Sequence, residues 1–128
     1  MRYALVTGGS RGLGRAVCIK LAGQGIPVII NYQSNAAAAE EVKATIEAEG
    51  GTAELLPFNV SDKEQVDKAI EEWEAAHPED YIAILVNNAG IREDNLMIFM
   101  QDGQWERVID TSLNGFFYVT RRALKRML

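Results

Sequence analysis

An apolar run of strand length, residues 3–7, leads directly into a glycine-rich turn that opens an amphipathic helix. A strand must end there in a sharp turn, which suits Gly8, and close approach of the backbone to an anion suits Gly12. Gly14 suits tight packing of the helix on the strand. The free N–H groups and the positive dipole end of the helix then face the anion. The spacing predicts a phosphate cradle, and a plain strand-to-helix turn is the alternative.

Strand-like and helix-like segments alternate along the whole chain, which predicts an α/β fold. The predicted strands are residues 3–7, 27–32, 53–60 and 82–86. The predicted helices run from the glycine turn to Gly23, over 35–49, from the 61–64 segment to just before Pro78, and from near Asp102 to the end. Short right-handed crossovers then give a three-layer parallel sheet with strand order 3-2-1-4. A site is expected at the carboxyl ends of strands 1 and 4, where the winding direction reverses.

Local signals add detail to two of these helices. In the second helix, the spacing of Ala39, Val42 and Ile46 predicts the buried stripe. Residues 61–64 predict a capping box in which Ser61 begins the third helix. Trp73 is expected in the core, and His77, next to a proline at the helix end, is expected to face solvent.

Composition limits the classes of function. The chain has 128 residues, of which 48% are hydrophobic, so it can bury one core and form one domain over residues 1–128. A net charge of −5 argues against a nucleic-acid or anionic-membrane partner. The single cysteine, Cys18, excludes an internal disulfide and is expected in the core. No apolar run reaches membrane-spanning length. We therefore expect a soluble cytoplasmic protein without a metal site.

A second motif, Asn-Asn-Ala-Gly at residues 87–90, follows the fourth strand directly. Two amides at this place suit hydrogen bonds that tie neighbouring strands together, and a simple turn is the alternative. With Thr7 and the G-x-x-x-G-x-G spacing of the first turn, this motif resembles the short-chain dehydrogenase/reductase family. The resemblance covers the whole chain and is closest to the 3-oxoacyl-acyl-carrier-protein reductases. Residues 90–97 also resemble that subgroup.

The resemblance implies a Rossmann-like dinucleotide-binding domain that is truncated before a fifth strand. It also implies NADP(H) or NAD(H) as the cofactor, with Ala89 and Gly90 leaving room for a ribose. The residues expected to bind the dinucleotide are Gly8, Ser10, Arg11, Gly12, Leu13, Gly14, Asn31, Tyr32, Ser34, Asn59, Val60, Asn88, Ala89 and Gly90.

Charge favours NADP(H) over NAD(H). The second strand ends in residues 31–35 without the carboxylate that NAD-using relatives place against the ribose hydroxyls. Arg11 can then pair with a 2′-phosphate, and Ser34 or Asn35 can donate to it. The alternative for Arg11 is a solvated loop cation. Asn59 stands where relatives commonly have an aspartate beside the adenine, and we expect it to accept from the adenine amino group with weaker anchoring.

The catalytic residues of the family are only partly represented. The resemblance implies a serine and a Tyr-x-x-x-Lys pair, and no such pair exists in this sequence. Tyr118 and Arg122 share the spacing, but an arginine stays charged and cannot replace lysine in proton transfer. Ser112 occupies the place of the family asparagine that supports a proton-relay water, whereas Asn114 lies on another helix face. We therefore expect cofactor binding without turnover by this chain, and hydride transfer to a ketone in an intact parent reductase.

The last helix carries more apolar residues than one sheet contact needs: Trp105, Val108, Ile109, Leu113, Phe116, Phe117, Leu124, Met127 and Leu128. The fourth strand would also form a sheet edge. We therefore expect a homodimer or higher oligomer through this helix or that edge. The basic end of the helix, residues 121–126, fits either the helix dipole or docking of an acidic carrier protein.

A non-catalytic module, vestigial or engineered for folding or assembly, is the alternative function.

Overall fold

The computed structural model describes residues 1–90 and 101–127. Four strands are present: β1 (Arg2–Val6), β2 (Val28–Tyr32), β3 (Ala53–Pro57) and β4 (Tyr81–Val86). The helices are α1 (Gly12–Gly23), α2 (Ala36–Ala48), α3 (Lys63–Ala76), α4 (Asp102–Ile109) and α5 (Gly115–Met127), and a π-helical segment (Asp110–Asn114) joins the last two. Residues 91–97 of the predicted subgroup motif, and Leu128 of the apolar helix, lie outside the described residues.

The strands form one parallel sheet in the order β3-β2-β1-β4, which confirms the predicted topology. In the register of the sheet, Leu5 of β1 pairs with Ile29 of β2 and with Leu85 of β4. The carboxyl ends of β1 and β4 are therefore adjacent, at the predicted position for a site.

Successive side chains of each strand point to opposite faces, so the sheet has a core on each side. On one face Leu5 and Ile29 pack with Val66, Ile70 and Trp73 of α3 and with Val119 of α5. On the other face Val6 and Ile30 pack with Cys18 of α1 and with Ala39, Val42 and Ile46 of α2. The predicted buried stripe of the second helix and the core position of Trp73 are thus confirmed.

β4 is less covered than its apolar sequence suggests. Ile82 is 5% exposed, but Ile84 is 38% exposed. Within the described part of the chain, β4 pairs only with β1, so its other side is a sheet edge.

Two predicted element boundaries change in the structure. The third strand ends at Pro57 and not at Val60, because the chain turns where the N–H of Asp62 donates to the carbonyl of Asn59 at 3.0 Å. The last helix is not uniformly α-helical, since the π-helical segment interrupts it after Ile109.

The predicted cap of α3 is wrong by one residue. Asp62, and not Ser61, accepts hydrogen bonds from the N–H groups of Glu64 and Gln65, at 3.1 and 3.2 Å. A carboxylate is the stronger acceptor at a helix N-terminus. The Ser61 hydroxyl instead donates to Asn59.

The expectation that His77 faces solvent is also wrong. Its ring stacks on Trp73 with centroids 4.3 Å apart, and its Nε2 lies 2.9 Å from Oε1 of Glu54. His77 Nδ1 lies 2.8 Å from the carbonyl oxygen of Trp73. The ring therefore joins the end of α3 to β3, a contact that depends on tertiary structure and not on the neighbouring proline.

None of the helices in the described residues has the length and apolar character needed to cross a membrane.

Candidate functional site

The glycine turn between β1 and α1 is held against the end of β2. The N–H of Gly8 donates to Oδ1 of Asn31 at 3.2 Å, and the N–H of Gly9 donates to the backbone carbonyl of Asn31 at 2.9 Å. Gly8 has a φ of +63°, in the left-handed region that favours glycine. The predicted reason for Gly8, a sharp turn, is confirmed.

Gly14 lies where α1 approaches the turn most closely. A Cβ at this position would lie 2.2 Å from the carbonyl oxygen of Gly8 and 2.4 Å from Nδ2 of Asn88. No real Cβ tolerates such distances, so only glycine fits. The predicted packing role of Gly14 is confirmed.

Thr7 and Asn88 join the carboxyl ends of β1 and β4. The Thr7 hydroxyl oxygen accepts hydrogen bonds from the N–H groups of Asn88 and Ala89, each at 3.0 Å. The Asn88 side-chain amide donates to the carbonyl of Gly8 at 3.1 Å. Thr7 is buried, so these bonds are shielded from water. The predicted strand-tying role of the Asn-Asn motif is confirmed for Asn88.

The N-terminus of α1 is open. Arg11 is the N-cap residue and makes no side-chain capping bond, since a guanidinium has no acceptor, and the first turn contains no acidic residue. A Cβ at Gly12 would meet nothing within 4 Å. Among the described residues, the N–H groups of Gly12 and Leu13 have no hydrogen-bond partner, and they lie at the positive dipole end of the helix. This arrangement suits an anion.

The end of β2 contributes less side-chain chemistry than expected. Asn31 is 2% exposed, and its amide donates to the carbonyls of Leu56 and Phe58 at 3.2 and 3.1 Å. Its side chain is thus directed into the protein, where it holds the glycine turn and the end of β3. Ser34 is exposed, while Oδ1 of Asn35 caps α2 by accepting from the N–H of Ala38 at 3.1 Å.

Asn59 also differs from expectation. Its Oδ1 accepts from both the N–H and the hydroxyl of Ser61, at 3.0 and 2.7 Å. The acceptor that was expected to meet an adenine amino group is therefore already occupied. Val60 is buried and lies against α5, where a Cβ at Gly115 would come within 2.7 Å of its side chain.

A small cleft of about 40 Å³ opens between the ends of β1 and β4 and the π-helical segment. It is lined by Thr7, Val60, Asn87, Ala89, Thr111, Ser112, Gly115 and Phe116. The Ser112 hydroxyl lies 3.8 Å from the position of a Cβ at Gly90. Asn114 instead donates to Oδ1 of Asp110 on the same helix, at 2.7 Å.

Burial perturbs one titratable group beneath the turn. Cys18 is fully buried, and a Cβ at Gly9 would lie 2.9 Å from its sulfur. Desolvation raises the pKa of the Cys18 thiol to about 12, so it stays protonated and acts as a small apolar side chain. The described residues contain no cluster of three or more histidine, cysteine or acidic side chains suited to a metal ion.

The comparison with known families decides the class of this site. Residues 2–128 match the family model described as short chain dehydrogenase. The chain belongs to the short-chain dehydrogenase family. The resemblance inferred from the two motifs is thereby confirmed.

Similar proteins agree with this assignment. A 3-oxoacyl-[acyl-carrier-protein] reductase of Synechocystis sp. is 42% identical over 127 residues, which cover 99% of this chain and 51% of the relative. The reductase FabG of Staphylococcus aureus is 40% identical over the same share of each chain. A crystal structure of a provisionally named gluconate dehydrogenase from Agrobacterium tumefaciens superposes with a TM-score of 0.92 and 37% identity, covering 98% of this chain and 49% of that one. The chain spans about half the length of these relatives.

In this member of the short-chain dehydrogenase family, most of the predicted residues fall into two groups. The first group surrounds the ends of β1 and β4 and consists of the glycine turn, Val60, Asn88, Ala89, Gly90 and Ser112. Asn31 is buried beneath that region, and Asn59 is turned onto Ser61. The cleft is also lined by four residues that were not predicted to bind cofactor or to act in catalysis: Thr7, Asn87, Thr111 and Phe116. For Thr7 a signal existed, because the aliphatic run of residues 4–6 ends in a polar residue immediately before the glycine turn.

Proposed function

We propose that this chain is the NADP(H)-binding half of an NADPH-dependent 3-oxoacyl-acyl-carrier-protein reductase. The open N-terminus of α1 carries the proposal, since Arg11 leaves it uncapped and Gly12 leaves it accessible. The names of the two reductases described above support the reductase class and an acyl-carrier-linked substrate in the parent.

The residues around the turn fit a dinucleotide. The N–H groups of Gly12 and Leu13 and the hydroxyl of Ser10 would hold the pyrophosphate. Ala89 and Gly90 present little side-chain bulk beside the cleft, which leaves room for a ribose. When bound, NADPH would supply a hydride for reduction of a ketone.

The chain's own residues would bind and orient the dinucleotide. Ser112 lies beside Gly90 in the cleft and would support the proton-relay water that an asparagine supports in relatives. The sequence contains no Tyr-x-x-x-Lys pair to exchange a proton with the substrate oxygen. We therefore expect this chain to bind the cofactor without turnover.

Preference for NADP(H) is proposed to come from Arg11 and Ser34. Both are exposed, at the start of α1 and after β2. No carboxylate occurs in residues 31–35 to repel a 2′-phosphate. Tyr32 is half-buried at the end of β2 and would flank the same ribose.

Self-association is the remaining part of the proposal. Phe116 and Phe117 are 53% and 52% exposed on α5, and Ile84 is 38% exposed on the edge strand β4. Burial of such side chains contributes about 1.5 to 3 kcal/mol each. We propose a homodimer or higher oligomer through α5 or the β4 edge, and a strictly monomeric sedimentation profile at high protein concentration would contradict it.

Titration with NADPH and NADH, followed by cofactor fluorescence, tests the binding function. NADPH should bind more tightly, and Arg11→Ala should remove most of that preference while Lys20→Ala, in the last turn of the same helix, should not. Addition of a 3-oxoacyl substrate should cause no oxidation of bound NADPH. Absence of binding would leave the non-catalytic folding or assembly module as the better account. An unchanged preference in Arg11→Ala would refute the role of Arg11 alone.

A further inference from the structure

A polar side chain lies near the end of the buried strand β2. Residues 28–30 and Asn31 are at most 2% exposed, and burial of an amide is unfavourable unless it is hydrogen-bonded. The amide nitrogen of Asn31 donates to the carbonyls of Leu56 and Phe58 at 3.2 and 3.1 Å, while Oδ1 accepts from the N–H of Gly8 at 3.2 Å. Carbonyl groups only accept and N–H groups only donate, so these three partners allow one orientation of the amide.

Asn31 thereby holds both peptide groups that flank the Cα of Gly8. Its side chain accepts from the N–H of the first, which joins Thr7 to Gly8. Its backbone carbonyl accepts at 2.9 Å from the N–H of the second, which joins Gly8 to Gly9 and whose carbonyl accepts from the side chain of Asn88. Rotation about the backbone bonds of Gly8, whose φ is +63°, would turn one of these peptide groups and break its hydrogen bonds.

The conformational freedom of glycine makes this restraint consequential. Glycine adopts positive and negative φ about equally, so Gly8 has little preference of its own for the conformation of the turn. The start of α1 packs against the same residue, because a Cβ at Gly14 would lie 2.2 Å from the Gly8 carbonyl oxygen. A rotated Gly8 would therefore displace the first turn of α1. A turn that must be ordered again when a ligand binds lowers the affinity for that ligand.

We propose that Asn31 is a positioning residue for the phosphate cradle: its side chain fixes Gly8 and raises the affinity for the dinucleotide without contacting it. This inference rests on the proposed dinucleotide binding. Both hydrogens of the Asn31 amide are used within the protein, on the carbonyls of Leu56 and Phe58, and these bonds turn the amide oxygen toward Gly8. The segment at the end of β3 thus supports the glycine turn through one buried side chain.

Two substitutions remove the side-chain bond and keep the backbone bond. Asn31→Leu preserves the size of the side chain and Asn31→Ala does not, but in both the carbonyl of residue 31 can still accept from the N–H of Gly9. Without nucleotide, the native protein should protect the amides of Gly8 and Gly9 from hydrogen exchange. In the two variants exchange at Gly8 should be about tenfold faster or more, with a smaller change at Gly9. A general loss of stability would instead accelerate both amides by the same factor.

Cofactor fluorescence then measures the dissociation constant for NADPH. It should rise about tenfold in both Asn31 variants, as expected when the backbone of one residue must be ordered on binding. Ile46→Ala is the control. Ile46 is 2% exposed in the last turn of α2, at the end of the sheet opposite the glycine turn, so its truncation destabilises the core and should leave the NADPH affinity unchanged.

Three results would overturn the inference and leave the proposed function intact. They are native NADPH affinity in a folded Asn31 variant, a loss of affinity in Ile46→Ala as large as that in the Asn31 variants, and equal acceleration of exchange at Gly8 and Gly9. If neither Asn31 variant folds, the native protein still decides, because a Gly8 amide that exchanges freely beside a protected Gly9 amide would refute the restraint. Failure of the native chain to bind NADPH would overturn both the inference and the proposed function.

Discussion

The side-chain amide of Asn88 donates a hydrogen bond to the carbonyl of Gly8 at 3.1 Å, across the ends of β4 and β1. The same carbonyl limits the space at Gly14, where a Cβ would come within 2.2 Å. Two contacts with the Gly8 carbonyl therefore fix the shape of the proposed phosphate cradle: one from Asn88, after β4, and one from Gly14 of α1. A change at either residue should act on folding and on NADPH binding together.

Asn88→Ala should loosen the glycine turn. It removes the donor to the Gly8 carbonyl, and loss of a hydrogen bond at a partly buried group lowers the free energy of unfolding by about 1 to 3 kcal/mol. NADPH affinity should fall roughly tenfold, because a loosened turn must be ordered again on binding. Urea unfolding and cofactor fluorescence measure the two effects. Asn87→Ala, which removes an exposed bond to Thr120, serves as the control for the unfolding measurement, and equal losses of unfolding free energy in both variants would contradict this account.

Gly14→Ala should be far more damaging than Gly23→Ala in the same helix. A Cβ at position 14 collides with backbone, whereas one at position 23 meets nothing within 4 Å. We expect Gly14→Ala to abolish NADPH binding and to destabilise the fold by about 1 to 3 kcal/mol or more, as overpacking does. Gly23→Ala should be neutral or stabilising by up to about 1 kcal/mol, because alanine favours helix. Similar melting temperatures for the two variants would show that α1 can shift away from the turn.

Much of the fold could be predicted from sequence because its signals are local. The apolar runs give the strands, and short crossovers between parallel strands restrict the order to 3-2-1-4. The glycine roles at positions 8 and 14 follow from the geometry of a strand that turns into a helix packed on it. The family motifs add the adjacency of Asn88 and the turn, which lie 80 residues apart in sequence.

The differences between expectation and structure concern polar side chains whose partners are distant or compete locally. Asn31 ends a strand and was predicted to contact cofactor, yet the carbonyls of Leu56 and Phe58 on the neighbouring strand segment take its donors. Asn59 was predicted to be an acceptor, but Ser61 takes its oxygen. His77 was expected in solvent because the partner that holds it, Glu54, lies on β3. The sequence shows which hydrogen bonds a polar side chain can make, whereas the tertiary structure determines which partner it bonds to.

Stability should decline in alkaline solution because Cys18 is buried. Burial raises the pKa of its thiol from 9.0 to about 12, so between these pH values the folded chain keeps a proton that the unfolded chain has released. The free energy of unfolding should then fall with rising pH, by up to about 1.4 kcal/mol per pH unit.

Urea unfolding between pH 7 and pH 11 checks the alkaline prediction, with Cys18→Ala as the comparison. The variant should show a flatter dependence over pH 9 to 10, whatever its stability at pH 7. Above pH 10 a second decline should remain in both proteins, because burial and a hydrogen bond to Glu54 raise the pKa of Tyr3 to about 12. Identical slopes below pH 10 would rule out Cys18 as the cause.

The docking of α5 on α3 should depend on Glu74. Its Oε1 accepts from Nη2 of Arg122, and the two side chains are only 13% and 12% exposed. Glu74→Ala leaves the Arg122 charge without its partner in a largely dry place, which typically lowers the free energy of unfolding by about 3 to 5 kcal/mol. Asp67→Ala breaks the Lys63–Asp67 pair on the exposed side of α3, where both side chains are more than a third exposed, and should lower it by about 0 to 1 kcal/mol. Urea unfolding of both variants decides between these values. A loss for Glu74→Ala as small as that for Asp67→Ala would mean that apolar packing at Val119 and Ala123, and not the buried pair, holds α5 in place.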